Sequence, residues 1–385
     1  MKVALVIERF DPLRGGREVS TAQIAEGLAR RGQDVTVFCM AAGAGGQGFL
    51  VQELKAWGLD RATKLSSFAR SVRGAARDGG FDIVHATLPI PSANVFQPRG
   101  GLVGAQEAAS LRKRRGMEKF LTQLAQPLNA HRAKMRSMER KLVSKPETLC
   151  LAVSEMVARE FMNYYARDKN VRVIYNAVDV PNVSKNQRDK WRQERRNQVK
   201  VGPGSPLFLS VATNFRLKGI AQAIEAFAQW YRSPNGSPGA RFVAVGQEKA
   251  ASYRRLAKKL GVAKQVYFES RSDNVWPWYA AADACVLLSW YDPCSRVVLE
   301  AARWALPSIT TVFNGAAEIL ARGAGLVVSS PDDITAIVNA MGDIADPDRL
   351  AERRQACRDV AEELSMDRHV DQLLEAYREV TGKND

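Results

Sequence analysis

The sequence predicts an α/β protein made of two doubly wound parallel-sheet domains in tandem, and three observations carry that expectation. Apolar β-like runs alternate with amphipathic helical patterns through both halves of the chain, the pattern of a parallel sheet covered by helices. A polar, charged stretch ending in Gly202-Pro203-Gly204-Ser205-Pro206 separates the two series. The length of 385 residues exceeds what one core of ordinary size accommodates. The expected division is a first domain over 1–180, a linker over 181–205 and a second domain over 206–365, followed by a helical tail.

In the first half, strands are expected at Lys2 to Glu8, Asp34 to Met40, Phe49 to Leu54, Asp82 to Leu88, Ala93 to Gln97, Thr148 to Ser154 and Val171 to Asn176. A helix from about Arg17 to Arg31 places Val19, Ala22, Ala25, Leu28 and Ala29 on one face and stops at Gly32. From Glu118 to Val143 an apolar stripe of Leu121, Leu124, Leu128, Met135, Met138 and Leu142 predicts helix, kinked or divided by Pro127. In the second half, strands at Leu207 to Thr213, Arg241 to Gly246, Val266 to Ser270, Ala284 to Trp290, Ser308 to Val312 and Gly325 to Ser329 alternate with helices. The most informative stretch is Leu287 to Thr311: an apolar strand, a tight loop Tyr291-Asp292-Pro293-Cys294-Ser295, a helix from Arg296 to Ala305, then another strand.

Composition bounds the function. Five scattered cysteines, odd in number and mostly in apolar runs, argue against a disulfide framework and a zinc site, and three histidines offer no metal cluster. The first apolar run ends at Glu8 and Arg9, and none approaches the roughly 18 residues of a spanning helix, so a cytoplasmic protein, at most peripheral to a membrane, is expected. The net charge of +15 is concentrated: Arg112 to Lys145 carries eleven Lys/Arg against two acids, and Lys185 to Lys200 seven against two. A basic, apolar-striped helix suits an anionic membrane surface, with a solvated helix packed on its own domain as the plainer reading. Nucleic-acid binding ranks last, because few aromatics, Trp191 among them, are interleaved with these charges and no nucleic-acid module is visible.

Ligands of doubly wound sheets bind at the carboxyl ends of strands. Gly15-Gly16, Asn214 to Lys218 and the Asp292 loop all fall there. The glycine pair lets backbone approach a phosphate at a helix N-terminus, although such pairs are common in loops. Arg216 and Lys218 form a compact cationic pair fit to neutralise a diphosphate, or simply solvated. Asp292 and Glu300, eight positions apart, bracket the start of a helix, as an acid/base pair or as orienting acceptors. His85, at a strand end, is a possible base with a structural role as the ordinary alternative.

Together these signals resemble a known family. The run YDPCSRVVLEAARWALPSITT is similar to the E-x7-E region of retaining family 4 glycosyltransferases of the GT-B fold, and VIYNAVDV, FLSVATNFRLKGIAQAIEAF and VAVGQEKAASYRRLAKKLGVAKQVYFES follow the family's order. The last run resembles the lipopolysaccharide core glucosyltransferase I group. The resemblance implies two Rossmann-like domains facing across a cleft, the first binding acceptor and the second donor, with a helix over 366–385 returning to the first domain. It implies a metal-independent hexosyltransferase that uses a nucleotide-sugar co-substrate, UDP-glucose or a close relative, on a lipid-linked or lipopolysaccharide-core-type acceptor, retaining anomeric configuration. Anionic membrane would be met through 112–145.

By the same resemblance, Arg216 and Lys218 would hold the donor diphosphate, and Asp292 the sugar hydroxyls. The backbone of Cys294, Ser295, Arg296 and Val297 would assist. Glu300 would bind the ribose, Ser270 and Arg271 would flank the base, and Gly15-Gly16 would approach the phosphate from the first domain. The chain departs from the family pattern at Asp292, which stands for the usual Glu, and at Cys294-Ser295, which stand for Phe-Gly. A catalytically silent sugar-nucleotide-binding protein and a GT-B epimerase are the alternative readings.

Overall fold

The computed structural model describes every residue except 14, 44–45, 247–249, 271–273 and 383–385, and the side chain of residue 128. The chain divides into two compact units, Met1–Asp179 with Ser365–Asp385, and Val180–Leu364. In chain order the first unit holds β1 (Lys2–Val6), α1 (Gly16–Arg30), β2 (Asp34–Cys39), β3 (Leu50–Glu53), α2 (Arg61–Asp78), β4 (Ile83–Ala86), β5 (Val95–Phe96), α3 (Val103–Arg112), α4 (Gly116–Ala125), α5 (Ala130–Val143), β6 (Leu149–Ala152), α6 (Glu155–Tyr165) and β7 (Val171–Val173). The second holds α7 (Lys185–Gln198), β8 (Leu207–Val211), α8 (Ile220–Arg232), β9 (Arg241–Gly246), α9 (Ala251–Lys259), β10 (Val266–Ser270), α10 (Trp276–Ala281), β11 (Ala284–Leu287), α11 (Arg296–Arg303), β12 (Ser308–Thr311), α12 (Ala317–Leu320), β13 (Gly325–Val328), α13 (Ile334–Ala345) and α14 (Pro347–Ala361). Helix α15 (Met366–Thr381) closes the first unit.

The first unit is a parallel seven-stranded sheet in the order β3-β2-β1-β4-β5-β6-β7. Helix α15 belongs here because its apolar residues fall on one face: Met366, Val370, Leu373, Leu374 and Tyr377 are buried with Ile24, Ala25 and Leu28 of α1. The two helices approach so closely that a Cβ on Gly27 would lie 2.6 Å from Val370 Cγ2. Ser365 caps α15, and Arg31 of the first unit donates to Asp371 at 2.6 Å. His85 is a core histidine. It is buried on β4, its Nδ1 lies 2.6 Å from Tyr377 Oη, and burial, then Arg99 and His369, holds its pKa down to about 3.

The expected helix over 118–143 is two helices with opposite fates. Pro127 lies in the single 3₁₀ turn between α4 and α5. Met138, Leu142 and Val143 of α5 are buried, and Val103 N–H donates to the buried Glu139 carboxylate at 2.9 Å. None of α4 is buried: Met117, Phe120, Leu121 and Leu124 form an exposed apolar stripe at helical spacing.

The second unit is a parallel six-stranded sheet in the order β10-β9-β8-β11-β12-β13. The stretch 181–205 is not a plain linker, because α7 occupies it and packs within this unit on α10. Helix α7 buries no side chain completely, which is why hydrophobic periodicity does not announce it. Charge and aromatic stacking anchor it instead. Arg192 and Arg196 each reach the buried Asp283 carboxylate at 2.8 Å, Arg354 of α14 reaches it at 2.9 Å, and Trp191 stacks on Trp304. Burial alone would raise the Asp283 pKa, but Arg192 and Arg196 hold it below the usual carboxylate range.

Candidate active site

In the second unit the strand order reverses between β8 and β11, which are adjacent parallel strands. Their outgoing loops therefore part at the carboxyl end of the sheet, the place where open α/β sheets take ligands. The β8 loop is shaped by its own residues. Asn214 Oδ1 accepts from Leu217 N–H at 2.9 Å, and Gly219 starts α8 at φ +65°, where a Cβ would lie 2.3 Å from Leu288 O. Trp290 N–H donates to Leu217 O at 2.9 Å, tying this loop to the end of β11. Lys218 consequently leans toward the β11 loop, where its ammonium donates to the Asp292 carboxylate. Both side chains are largely enclosed, Lys218 18% and Asp292 14% exposed. Arg216 lies exposed on the same loop and is not the residue paired with Asp292.

The Asp292 turn is pinned from a segment that sequence reading passed over. Asp292 N–H donates to Phe313 O and Gly315 N–H donates to Asp292 O, both at 2.9 Å, forming a parallel bridge beyond β12. The buried Asn314 side chain then accepts from Ser295 N–H at 3.1 Å. The Ser295 amide, expected to assist at the donor sugar, thus has a partner inside the protein. Cys294 and Ser295 are themselves buried, Arg296 and Val297 are half-buried, and the latter two open α11.

Glu300 sits one turn into α11, 16% exposed, accepting from Tyr279 Oη at 3.0 Å and lying 3.6 Å from Arg296 Nη2. Burial raises its pKa, and Arg296 and Tyr279 oppose that rise without cancelling it. Burial, with Glu300 beside it, also pushes the Tyr279 phenol well above its ordinary value. Tyr279, in a helix whose residues from Pro277 to Ala281 are all buried, gave no sequence signal beyond a core aromatic.

Ser270 ends β10 at the rim of a cavity of about 310 Å³, lined also by Phe215, Gly246, Arg254 and Phe268. Gly246 packs against the backbone just past β8, where a Cβ would lie 1.9 Å from Ala212 O. Arg271 lies outside the described residues. In the first unit, Gly15 caps α1 with extended torsions of φ −168° and ψ 169°, which any residue adopts, so backbone strain does not demand glycine there. A smaller cavity of about 100 Å³ opens near that helix start, lined by Arg9, Arg17, Gly100, Gly101, Gln106 and His131 among others.

Comparison with known proteins decides the family. Residues 14–181 match Glycosyltransferase Family 4, and residues 191–364 match Glycosyl transferases group 1. The chain belongs to the family 4 glycosyltransferases. Among this family's curated members, the lipopolysaccharide glucosyltransferase WaaG of Escherichia coli (strain K12) is 33% identical over 147 residues, 38% of each chain. The D-inositol 3-phosphate glycosyltransferase of Nocardiopsis dassonvillei is 28% identical over 257 residues, 63% of this chain and 58% of that one. The matches thus span less than two thirds of either relative. Among solved structures, WaaG superposes with a TM-score of 0.78 at 20% identity, over 99% of this chain and all of that one. Anabaena Alr3699/HepE in complex with UDP-glucose gives 0.71 at 19%, over 98% and 100%. These likenesses establish the GT-B fold, two parallel-sheet Rossmann-like domains.

Proposed function

We propose that the protein is a retaining hexosyltransferase that moves glucose from UDP-glucose to a lipid-linked or lipopolysaccharide-core-type acceptor. One observation carries the reading: Lys218 and Asp292 meet where the β8 and β11 loops part. A cation for a diphosphate and a carboxylate for sugar hydroxyls stand side by side, next to a cavity able to take a base at Ser270. The Alr3699/HepE complex and the WaaG relative point to the same donor class.

Lys218 and Asp292 satisfy each other in the structure. Arrival of the donor diphosphate draws Lys218 from Asp292 and frees the carboxylate to accept from the sugar. Arg216, exposed on the same loop, and the first-turn amides of α11 add positive potential. The bond from the anomeric carbon to the phosphate oxygen breaks, UDP leaves with the electron pair, and the acceptor oxygen bonds to the same carbon on the same face. The acceptor proton passes to the departing phosphate. The two cations meet the charge of the leaving group, so the reaction as proposed needs no resident metal.

The test is a panel of nucleotide-sugars read by thermal shift and by donor hydrolysis. UDP-glucose is expected to raise the melting temperature of the wild type but not of Lys218→Ala. An unchanged shift in Lys218→Ala would remove the diphosphate role. Binding without turnover on any acceptor would favour the silent sugar-nucleotide-binding alternative, which the Asp at 292 motivates.

We also propose that the anionic membrane partner is met by the 112–125 part of the basic block. The exposed stripe of Met117, Phe120, Leu121 and Leu124 follows the four cationic residues Arg112 to Arg115. No helix among the described residues is long and apolar enough to cross a membrane, so contact through α4 would be peripheral. Burying one such side chain contributes roughly 1.5–3 kcal/mol. Phe120→Ser with Leu124→Ser should abolish flotation with anionic vesicles and leave the melting temperature unchanged. Flotation that survives the pair would exclude α4.

A further inference from the structure

We infer that Asn314 is a positioning residue of the donor site, fixing the Asp292 turn so that the turn rather than the ligand supplies the order. The inference rests on the donor reading above and adds to it a residue outside the expected set.

Asn314 is 1% exposed, and its amide is used at both ends. Oδ1 accepts from Ser295 N–H and from Ala316 N–H, each at 3.1 Å, and Nδ2 donates to Thr310 Oγ1 at 3.0 Å. Thr310 Oγ1 in turn donates to Leu287 O at 2.7 Å, the last residue of β11. The orientation of the amide follows from its neighbours, since two N–H donors face one end and a hydroxyl oxygen the other. The Asn314 side chain thus joins the residue that caps α11 to the start of α12 and to Thr310 of β12, and through the Thr310 hydroxyl it reaches the end of β11.

Its own backbone adds the second hold. The residues on either side of Asn314 carry the two bonds of the bridge to Asp292. Asp292 is held through its main chain by 313 and 315, while Ser295, three residues on, is held by the side chain of 314. The intervening Pro293-Cys294 is therefore spanned between two fixed points. A loop carrying a ligand-binding carboxylate ordinarily gives up conformational entropy when the ligand arrives; here that order is already built in. Asn314 reaches no proposed ligand group itself, and its effect passes through Asp292. The base cavity at Ser270 is lined by other elements, so the effect should fall on the sugar end of the donor.

Three variants test this. Asn314→Ala removes the amide, Asn314→Asp keeps an acceptor for Ser295 N–H, and Thr310→Val breaks the Nδ2 contact and the bond to Leu287 O while leaving Oδ1 in place. Hydrogen exchange of the peptide spanning 292–296 reads the hold on the turn, and calorimetric titration with UDP-glucose and with UDP reads its use. Asn314→Ala is expected to lose protection and to weaken UDP-glucose at least tenfold but UDP less than threefold. Asn314→Asp should retain most of the protection, and Thr310→Val should lose thermal stability with both readouts unchanged. Equal weakening of UDP and UDP-glucose in Asn314→Ala, or the same pattern in Thr310→Val, would overturn the inference. Failure of the wild type to bind either ligand would sink the donor reading first and Asn314's role with it. Wild-type binding with an unaltered Asn314→Ala would sink the role alone.

Discussion

Asp292 and Glu300 are carboxylates eight residues apart in one loop-helix unit, yet the fold gives them different surroundings. Asp292 stands at a loop tip and faces a cation from another loop, Lys218. Glu300 stands inside α11 and is held by its own surroundings, the Tyr279 hydroxyl at 3.0 Å and Arg296 one helical turn away. The first pair spans two loops, and the second is local to one helix and its neighbour. Position relative to the strand ends, not residue type, separates the surroundings of the two carboxylates.

The largest effect should come from breaking the Asp292 side of this contrast. Asp292→Ala is expected to lower kcat/KM for UDP-glucose about 100-fold, matching the loss of a charge-assisted contact of roughly 2–3 kcal/mol. Asp292→Glu, which restores the family's longer side chain, should recover most of it or change the preferred sugar. Equal loss in both variants would show that the Lys218 pairing, rather than sugar contact, is what the residue provides. Steady-state kinetics over several nucleotide-sugars reads this.

Glu300→Gln should act more gently. The amide oxygen can still accept from Tyr279, so the helix is kept and only charge is lost. Donor KM is expected to rise about tenfold with kcat unchanged, the pattern of lost ground-state binding. Because burial raises the Glu300 pKa, wild-type donor affinity should also fall as pH drops through that raised value. The Gln variant should show no such limb. A titration limb that persists in Glu300→Gln would assign it to another group.

The fold was legible because strand and helix periodicities in this chain are clean, and the β8, β11 and α11 stretches appear where their patterns put them. Helix α7 and the exposure of α4 were not legible, for opposite reasons. Helix α7 lacks an apolar face and is fixed by arginines on Asp283, a long-range pairing that no local pattern encodes. In α4 and α5 the apolar stripe reads as one, but whether a stripe finds a partner depends on what packs opposite it. Met138 and Leu142 found a core, and Phe120 and Leu124 did not. Within the site, Lys218 and Asp292 were visible as charged residues at strand ends. Asn314 was not, because Asn-Gly after a strand reads as an ordinary turn and its bond to Ser295 crosses nineteen residues.

The smallest effect, and the one that isolates Glu300 from any ligand, is on stability. The folded pKa of Glu300 lies above its ordinary value of 4.5, so the native state holds its proton more tightly than the unfolded chain does. Its contribution to stability is then fully present below pH 4.5 and is lost as pH rises through the folded value, where an enclosed carboxylate must ionise. Glu300→Gln mimics the protonated state at every pH. The difference in unfolding free energy between variant and wild type should therefore grow in the variant's favour from pH 4 to pH 8, and the melting temperatures should diverge in the same direction. Asp292→Asn provides the contrast: it removes a carboxylate whose partner, Lys218, is left enclosed without it, so its difference should run against the variant at neutral pH. Two curves of opposite sign, measured by thermal unfolding without any nucleotide present, would establish that the two carboxylates are held by different physics. Curves of the same sign would mean that the Lys218 pair is as self-contained as the Tyr279 one.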